Sequence, residues 1–339
     1  MSTQPVTTFL SLGAGVQSTA LLLMSIDGHL PPIEHAIFAD TGWEPGQVYE
    51  HLGRLSVEMA DAGITLHRVS AGNIRSDALD PTLRFASMPL FVKGEPWTCD
   101  DCEGTGSIPD PLWRLGDDPE DELTECPRCR GNGGSDGKGM VRRQCTSEYK
   151  LKPIKETARE LLGATVRHVD GQRRVGRVGG RPGEVFAINW VGISTDEIGR
   201  QRPSDVQYLK RVDPLIDMLD VSRADCIAYL TDRWPFPVPR SACIGCPFHS
   251  NREWRDMREH RPDEWQNAVE FDHAIRKGNA SRGHDRGTEL PGEAFLHADR
   301  VPLELANIDR LQRGESDPSQ PSLFGDDALG CNPFGCARS

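Results

Sequence analysis

The sequence predicts an α/β fold in which a parallel, twisted sheet carries helices on both faces. A short β-prone run, Val6–Leu12, is followed by a glycine-rich turn and by the apolar, helical segment Thr19–Ile26. A second buried strand is expected at Glu34–Asp40, apolar residues then recur at helical spacing over residues 48–59, and a third strand is expected near Ile64–Val69. This βαβαβ order is typical of parallel sheets, which bind ligands beyond the carboxyl ends of their strands.

The composition favours a globular protein with one locally basic segment. The chain has 339 residues and a net charge of −12, but residues 141–213 hold 15 Lys and Arg against 9 Asp and Glu. An acidic chain is not expected to coat nucleic acid indiscriminately, whereas a local basic excess can receive phosphates; a solvated basic surface is the alternative. No apolar run is long enough to span a membrane, and residues 1–15 lack the basic start of a signal peptide. We therefore expect a cytoplasmic protein without a membrane partner, in which clustered cysteines bind metal.

The turn after the first strand has the features of a phosphate site. Gly13 and Gly15 let the backbone approach a ligand closely, and the dipole of the following helix favours an anion there. Asp40 ends the second strand at the same edge of the sheet. A plain structural turn is the alternative, and the loop is not a Walker A motif because it has no Gly-Lys-Ser/Thr. The nearby hydroxyl donors are Ser11, Ser18 and Thr19.

Two segments resemble a known family. SLGAGVQST and FADTGWEP are similar to the pyrophosphate loop (PP-loop) and the Asp-Thr-Gly segment of the PAPS/APS reductases and related adenine nucleotide α-hydrolase-like enzymes, which include ATP pyrophosphatases. The chain departs from their usual Ser-Gly-Gly-x-Asp-Ser loop, with Leu12 at the first glycine and Gln17 at the aspartate. The resemblance implies a bound nucleotide, ATP or PAPS/APS, together with Mg²⁺. The nucleotide-binding residues that it implies are Ser11, Gly13, Gly15, Gln17, Ser18, Thr19 and Asp40.

Residues 94–140 contain two Cys-x-x-Cys-x-Gly-x-Gly units and are expected to form a zinc-binding insertion in the α/β domain. The four cysteines are Cys99, Cys102, Cys126 and Cys129. Each unit predicts a knuckle whose glycines let backbone N–H groups face the thiolates, and two knuckles supply the four tetrahedral ligands that zinc prefers. Because four thiolates fill the coordination sphere, the site should be structural. The repeat resembles the zinc module of DnaJ-type chaperones.

A second set of cysteines is spread more widely along the chain. Cys145 precedes a predicted helix, and Cys243 and Cys246 form a Cys-x-x-Cys turn before another helix. Three thiolates can hold three irons of a 4Fe-4S cluster. A second structural zinc, with His249 as the nearest fourth ligand, is the alternative. Cys226 falls in an amphipathic helical stretch and is expected in the core.

The family resemblance favours iron for this second set. The APS reductases carry Cys-Cys-x-x-Arg-Lys-x-x-Pro and, further along, Cys-x-x-Cys, and these motifs bind a 4Fe-4S cluster. Alignment on Lys150 and Pro153 puts Thr146 where their second cysteine stands. The resemblance therefore implies a cluster with one open iron, similar to that of ATP-dependent tRNA thiolation enzymes. GISTDEIGRQR also resembles the family's Gly-x-Arg-x-x-Glu-Ser segment. Candidates for contacts with phosphate or sulfate are Lys150, Arg200 and Arg202, with Lys210 and Arg211 beside them.

The last residues, 314–339, are polar and rich in Pro and Gly, as in a flexible tail. Gln320–Phe324 resembles the short peptide by which bacterial proteins dock on the DNA sliding clamp. Cys331 and Cys336 are candidate catalytic residues, because PAPS/APS reductases use a tail cysteine as the nucleophile that attacks the sulfonate. The family's Glu-Cys-Gly-Leu-His sequence is missing here. The pair is therefore a nucleophile with its resolving thiol, an extra pair of metal ligands, or a redox-sensitive tail.

These observations predict a PP-loop enzyme built from five segments. Residues 1–93 and 141–235 form the nucleotide-binding domain, 94–140 the zinc insertion, 236–313 a cysteine-turn and helical region, and 314–339 the tail. We expect ATP-dependent activation of an acceptor, with release of pyrophosphate, followed by iron-sulfur-dependent sulfur transfer from a sulfur donor. The basic segment favours a nucleic-acid acceptor. The alternatives are a PAPS/APS reductase that uses thioredoxin, and a non-catalytic nucleotide-binding adaptor.

Overall fold

The secondary structure alternates strands and helices from the first strand onward. The computed structural model describes residues 7–83, 88–110, 123–169, 172–179, 184–278 and 292–311. In chain order the strands are β1 (Thr7–Ser11), β2 (His35–Asp40), β3 (Thr65–Ser70), β4 (Phe91–Lys93), β5 (Trp97–Thr98), β6 (Ser107–Pro109), β7 (Leu123–Glu125), β8 (Gly134–Ser135), β9 (Lys138–Met140), β10 (Val166–Val169), β11 (Gln172–Val175), β12 (Ala187–Val191), β13 (Leu209–Val212) and β14 (Glu293–Phe295). The α-helices are α1 (Val16–Ile26), α2 (Gly46–Asp61), α3 (Ile74–Leu79), α4 (Lys152–Leu161), α5 (Pro214–Asp217), α6 (Arg223–Arg233), α7 (Asn251–His260) and α8 (Pro262–Ala274). A π-helical turn, Thr146–Leu151, leads directly into α4, and 3-10 turns cover Thr195–Arg200 and Leu303–Leu305.

Five parallel strands form the central sheet, in the order β13-β12-β1-β2-β3. The chain leaves β1 toward β2 and β3 on one side and returns on the other side with β12 and β13. Ser11 at the end of β1 lies opposite Ile37 of β2 and Val191 of β12. Parallel sheets bind ligands at such a reversal of strand order, and the glycine loop follows β1 at this point. The prediction of an α/β fold with a parallel sheet is confirmed.

Helices cover both faces of this sheet. Because successive side chains of a strand point to opposite faces, Leu10 and Phe38 pack against α1, α2 and α6, whereas Phe9 and Ile37 pack on the side of α4. Cys226 of α6 is fully buried in the first of these layers, as expected. The two buried faces explain why the strands read as continuous apolar runs.

A further apolar cluster lies beyond the carboxyl end of β2. It joins Trp43, from the turn after β2, to Tyr149 of the π-helical turn, Trp254 of α7 and Phe271 of α8. Cys243 packs partly against the same cluster. Three segments that are distant in sequence are therefore fixed side by side at this edge of the sheet.

Three elements differ in extent from the sequence prediction. The first helix begins at Val16 rather than Thr19, because Gly15 is its N-cap. The apolar run Val185–Ile193, which reads as a strand, is limited to β12, and the helix after Cys145 starts with π-helical geometry. The arginine-rich stretch Val166–Val175 forms a hairpin, the antiparallel pair β10 and β11. Among the described helices, none combines the length and the apolar character that a membrane span requires.

Candidate functional site

The glycine loop is a tight connection between β1 and the N-terminus of α1. Ala14 adopts a left-handed conformation with φ of 55°. Ser18 closes the first turn, since its Oγ accepts from Gly15 N–H at 3.2 Å and lies 3.1 Å from the Gly15 carbonyl oxygen. A Cβ atom added at Gly192 would lie 2.8 Å from the Ser18 nitrogen, so the loop after β12 packs directly on this helix end.

Two hydroxyls predicted at the phosphate are instead used inside the protein. Ser11 Oγ donates to Asn189 Oδ1 at 2.8 Å and links β1 to β12. Thr19 Oγ1 and His51 Nε2 are hydrogen-bonded at 2.9 Å, joining α1 to α2, and burial lowers the pKa of His51 to about 4. Ser11 and Thr19 are almost fully buried, so they stabilise the framework of the loop.

Gln17, which replaces the aspartate of the usual loop, is part of a buried polar network. Its Nε2 donates to Glu197 Oε2 at 3.1 Å, and its Oε1 accepts from Arg223 at 2.8 Å. Glu197 also pairs with Arg200, whose side chain is 10% exposed. The glutamine thus ties α1 to the 3-10 turn after β12 and to α6, a role that suits an amide better than a carboxylate because it needs both a donor and an acceptor.

Asp40 is fully engaged at the end of β2. Its Oδ2 accepts from Arg68 Nη2 at 2.6 Å, and its Oδ1 accepts from the Tyr49 hydroxyl at 2.9 Å and from Gly42 N–H at 2.8 Å. Burial and this carboxylate raise the pKa of Tyr49. The aspartate therefore shapes the turn that follows β2, and it brings Thr41 and Gly42 into position beside the glycine loop.

A cleft of about 430 Å³ opens between the π-helical turn, α4, β12 and β13. Its apolar wall includes Leu151 and Ile154, and three arginines line it, Arg143, Arg202 and Arg211. We call it the basic cleft. Of the predicted phosphate contacts, Arg202 lines this cleft, whereas Arg200 lies buried on Glu197 and Lys150 lies elsewhere.

The first cysteine set forms a group of four free, buried thiols. Cys99 and Cys126 Sγ atoms are 3.8 Å apart, those of Cys102 and Cys129 are 3.6 Å apart, and all four lie within 4.8 Å of one another. A tetrahedral ion with metal–sulfur bonds of about 2.3 Å spaces its ligands about 3.8 Å apart. The four cysteines are therefore placed to bind a metal ion.

Residues 97–109 and 123–135, which we call the knuckle module, are related by a local twofold repeat. Gly106 N–H donates to Cys102 Sγ and Gly133 N–H donates to Cys129 Sγ, both at 3.3 Å. Cys99 N–H donates to the Gly133 carbonyl at 2.8 Å, while Cys126 N–H donates to that of Gly106 at 2.9 Å. Although burial opposes it, the Gly106 N–H helps to lower the pKa of Cys102, whereas burial raises the pKa of Cys99 and of Cys129.

The glycines of the knuckle module are required where the two knuckles touch. Gly106 has φ of 82°, and a Cβ atom there would overlap the carbonyl oxygen of Gly131. Gly133, with φ of 70°, meets Gly104 in the matching way. The glycines of the Cys-x-x-Cys-x-Gly-x-Gly pattern are therefore needed both for their positive φ and for the close contact between the two repeats.

The second set, Cys145, Cys243 and Cys246, is assembled from distant segments, and we call it the thiol centre. Ile244 N–H donates to the Trp43 carbonyl at 2.9 Å, which seats the Cys243–Cys246 turn on the loop after β2. Gly245 fits against the Trp43 ring with no space for a Cβ atom. Cys145 directly precedes the π-helical turn, whose Lys150 interacts electrostatically with all three thiols.

Glu44 lies at the thiol centre, although no sequence motif marked it as a site residue. Its Oε1 lies 3.8 Å from Cys243 Sγ and 3.8 Å from Lys150 Nζ. Burial alone would lower the pKa of Lys150, but Glu44 and the thiols hold that pKa above its ordinary value. Burial raises the pKa of Cys246 to about 11, which favours the protonated thiol at neutral pH. The sequence feature that could have pointed to Glu44 is its position in FADTGWEP, the segment that resembles the family's Asp-Thr-Gly motif.

His249 is not placed as a fourth ligand of the thiol centre. Its Nε2 is hydrogen-bonded to the carbonyls of Cys243 and Ile244, at 2.9 and 3.1 Å, and its Nδ1 lies 3.6 Å from Glu253. The imidazole therefore supports the cysteine turn from behind. Within the part of the chain that the structure describes, the knuckle cysteines are the group with three or more ligand atoms at single-ion spacing.

The tail residues Cys331, Cys336 and Gln320–Phe324 lie outside the described residues. No family model, curated protein or solved structure matches this chain.

Proposed function

We propose that the chain is a PP-loop enzyme that activates an acceptor with ATP for iron-sulfur-dependent sulfur transfer. The observation that carries this proposal is the convergence of three features at one edge of the sheet. A Cβ atom at Gly15 would lie 3.6 Å from Ser241 Cβ, which links the glycine loop to the cysteine turn. Thr41 Oγ1 lies 3.2 Å from Cys243 Sγ, and Arg143 and Thr146, which flank Cys145, line the basic cleft.

The spacing of the thiols supports the assignment of a different metal group to each cysteine set. In the knuckle module the sulfur–sulfur distances of 3.6 and 3.8 Å suit one zinc ion, and four thiolates leave no open position, so this site is structural. Among the described residues, the sulfur atoms of the thiol centre are not all close enough to one another to bind a single metal ion. This wider spacing favours a cluster in which each iron takes one thiolate. When bound, a 4Fe-4S cluster with three cysteine ligands supplies one further iron position that can hold sulfur.

Different parts of the site would bind the nucleotide and support the two chemical steps. The N–H groups at the start of α1 hold the triphosphate, with Mg²⁺, and the arginines of the basic cleft balance negative charge. The acceptor oxygen attacks the α-phosphorus of ATP, an oxygen–phosphorus bond forms, and pyrophosphate leaves. Sulfide-level sulfur (HS⁻) from a donor next attacks the carbon that bears the adenylylated oxygen, a carbon–sulfur bond forms, and AMP leaves with the former acceptor oxygen. Activation is needed because an unmodified oxygen is a poor leaving group.

The β10–β11 hairpin supports a nucleic-acid acceptor. Arg167 lies directly opposite Arg174, and His168 lies opposite Arg173. Cationic side chains grouped along a hairpin can contact a phosphate backbone that lies along it. Arg167 and Arg174 are exposed and lie on the same face of the hairpin. Arg173 lies on the other face, where it pairs with Glu156 and Glu160 of α4.

The test is pyrophosphate release from ATP by anaerobically purified protein, with and without RNA or DNA. We expect release that depends on nucleic acid and falls about tenfold in Arg202→Ala, because a charge-assisted contact in the basic cleft is lost. Arg252→Ala, an exposed arginine on α7, is the matched control. Thioredoxin-dependent sulfite release from PAPS or APS would instead identify a reductase. If neither pyrophosphate release nor sulfite release is detected, the protein is a non-catalytic nucleotide-binding adaptor.

A further inference from the structure

Glu44 has an unexplained oxygen atom in a buried position. The residue lies on the turn between β2 and α2, and its side chain is 1% exposed. Oε1 accepts from the Thr41 hydroxyl at 2.9 Å and faces Lys150 Nζ at 3.8 Å. Oε2 is buried and has no hydrogen-bond partner among the described residues. A buried carboxylate oxygen without a partner is costly, and such an atom commonly marks a bound ion or water.

Three cysteine thiolates leave one iron of a 4Fe-4S cluster without a protein ligand, and the Glu44 carboxylate contacts one of these thiols through Oε1. The nearby side chains that could serve are committed to other contacts: Thr146 Oγ1 is hydrogen-bonded to Arg143, and His249 Nε2 to two carbonyls. Cys226 is buried in a different apolar cluster. Glu44 is in contact with Cys243 and shares Lys150 with all three thiols.

We propose that Glu44, through Oε2, is the fourth and non-thiolate ligand of the centre formed by Cys145, Cys243 and Cys246. This inference rests on the proposed function, because it requires the iron-sulfur cluster assigned there. Thr41 and Lys150 hold Oε1, as hydrogen-bonded neighbours hold metal-bound carboxylates, and Oε2 is the oxygen left for an iron. A carboxylate is a harder donor than a thiolate and binds such irons less tightly. It therefore protects the fourth iron at rest and yields that position to sulfur.

The experiment compares the iron environment in full-length, anaerobically reconstituted wild type, Glu44→Gln, Glu44→Ala and Glu44→Cys. Glu264→Gln is the matched control, because Glu264 accepts from Gly46 N–H near the same turn and pairs with Arg261, without contact to the thiols. The measurements are iron and sulfide per chain, Mössbauer spectra with ⁵⁷Fe, and EPR spectra. Zinc content and far-UV circular dichroism report whether each variant is folded.

We expect the wild type to show one iron with a distinct Mössbauer signature. The Gln and Ala variants should lose about one iron in four and give the EPR signal of a three-iron cluster, whereas Glu44→Cys should retain all the iron without the distinct site. Folded Gln and Ala variants with wild-type iron content and spectra would overturn the inference and leave the proposed cluster intact. A wild type that binds no iron would overturn both.

Discussion

The two cysteine centres of this protein are built in opposite ways. The knuckle module takes its four ligands from two copies of one local motif, and its glycine N–H groups and reciprocal backbone bonds come from the same copies. The thiol centre takes its three cysteines from segments that precede β12 and follow β13 along the chain, and the apolar cluster around Trp43 and Trp254 holds these segments together. The first centre depends on local sequence and fills its coordination with cysteines. The second depends on the whole fold and includes a buried lysine and carboxylate.

The largest expected effect is confined to the knuckle module. Gly106→Ala places a Cβ against the carbonyl of Gly131 and opposes a φ of 82°, so we expect loss of zinc and unfolding of the module. Structural zinc supplies about 10–16 kcal/mol to such modules. Zinc per chain and limited proteolysis between residues 94 and 140 measure the effect.

Gly63→Ala is the matched control for this glycine. Gly63 has φ of 72° with nothing within 4 Å of a new Cβ, so the substitution should cost about 1 kcal/mol and leave zinc bound. Full zinc occupancy in Gly106→Ala would show that the two knuckles do not need this contact.

The next effect concerns the buried ion pair of the thiol centre. Lys150→Met leaves the Glu44 carboxylate buried without its cation, so we expect the free energy of unfolding to fall by about 3–5 kcal/mol in iron-free protein. Lys155→Met is the control, because its partner Asp205 is 72% exposed and such a pair contributes about 1 kcal/mol or less. Urea unfolding followed by circular dichroism gives both values. Equal losses would mean that Glu44 and Lys150 do not depend on each other.

A smaller loss of stability is expected when the contact that seats the Cys243–Cys246 turn on Trp43 is disturbed. Gly245→Ala forces a methyl group against the Trp43 ring, so we expect a loss of about 1–3 kcal/mol in global stability and of iron, with zinc retained. Gly53→Ala, in an exposed and open position of α2, should instead stabilise the protein by about 1 kcal/mol. Thermal unfolding and metal analysis test the pair. Loss of zinc together with iron in Gly245→Ala would contradict the independence of the two centres.

The smallest effect should leave both centres unchanged. The double variant Arg167→Glu/Arg174→Glu should weaken nucleic-acid binding about tenfold and reduce its salt dependence, because phosphate contacts on the hairpin are lost. Arg252→Glu/Lys277→Glu makes the same charge change at exposed positions elsewhere. Fluorescence anisotropy with labelled RNA and DNA at several salt concentrations distinguishes the two. Similar losses in both variants would assign the binding to overall charge.

Features that depend on local sequence could be predicted, whereas contacts between distant segments could not. The parallel strands and the knuckle ligands depend on local spacing, and both were visible in the pattern of residues. The partners of Ser11, Thr19 and Gln17 lie 178, 32 and 180 residues away along the chain, at Asn189, His51 and Glu197, so no local pattern could reveal them. Burial of Glu44 likewise arises only when the cysteine turn docks on the loop after β2.

The most direct test of this account is the metal content of anaerobically prepared wild type, Cys126→Ser and Cys145→Ala. We predict that Cys126→Ser loses zinc and keeps the visible absorption of an iron-sulfur cluster, whereas Cys145→Ala loses that absorption and keeps zinc. Cys226→Ala, which changes a buried cysteine outside both centres, should retain both metals. Loss of both metals in either single-centre variant, or a wild type without iron, would contradict the division of the cysteines into a closed structural centre and an open chemical one.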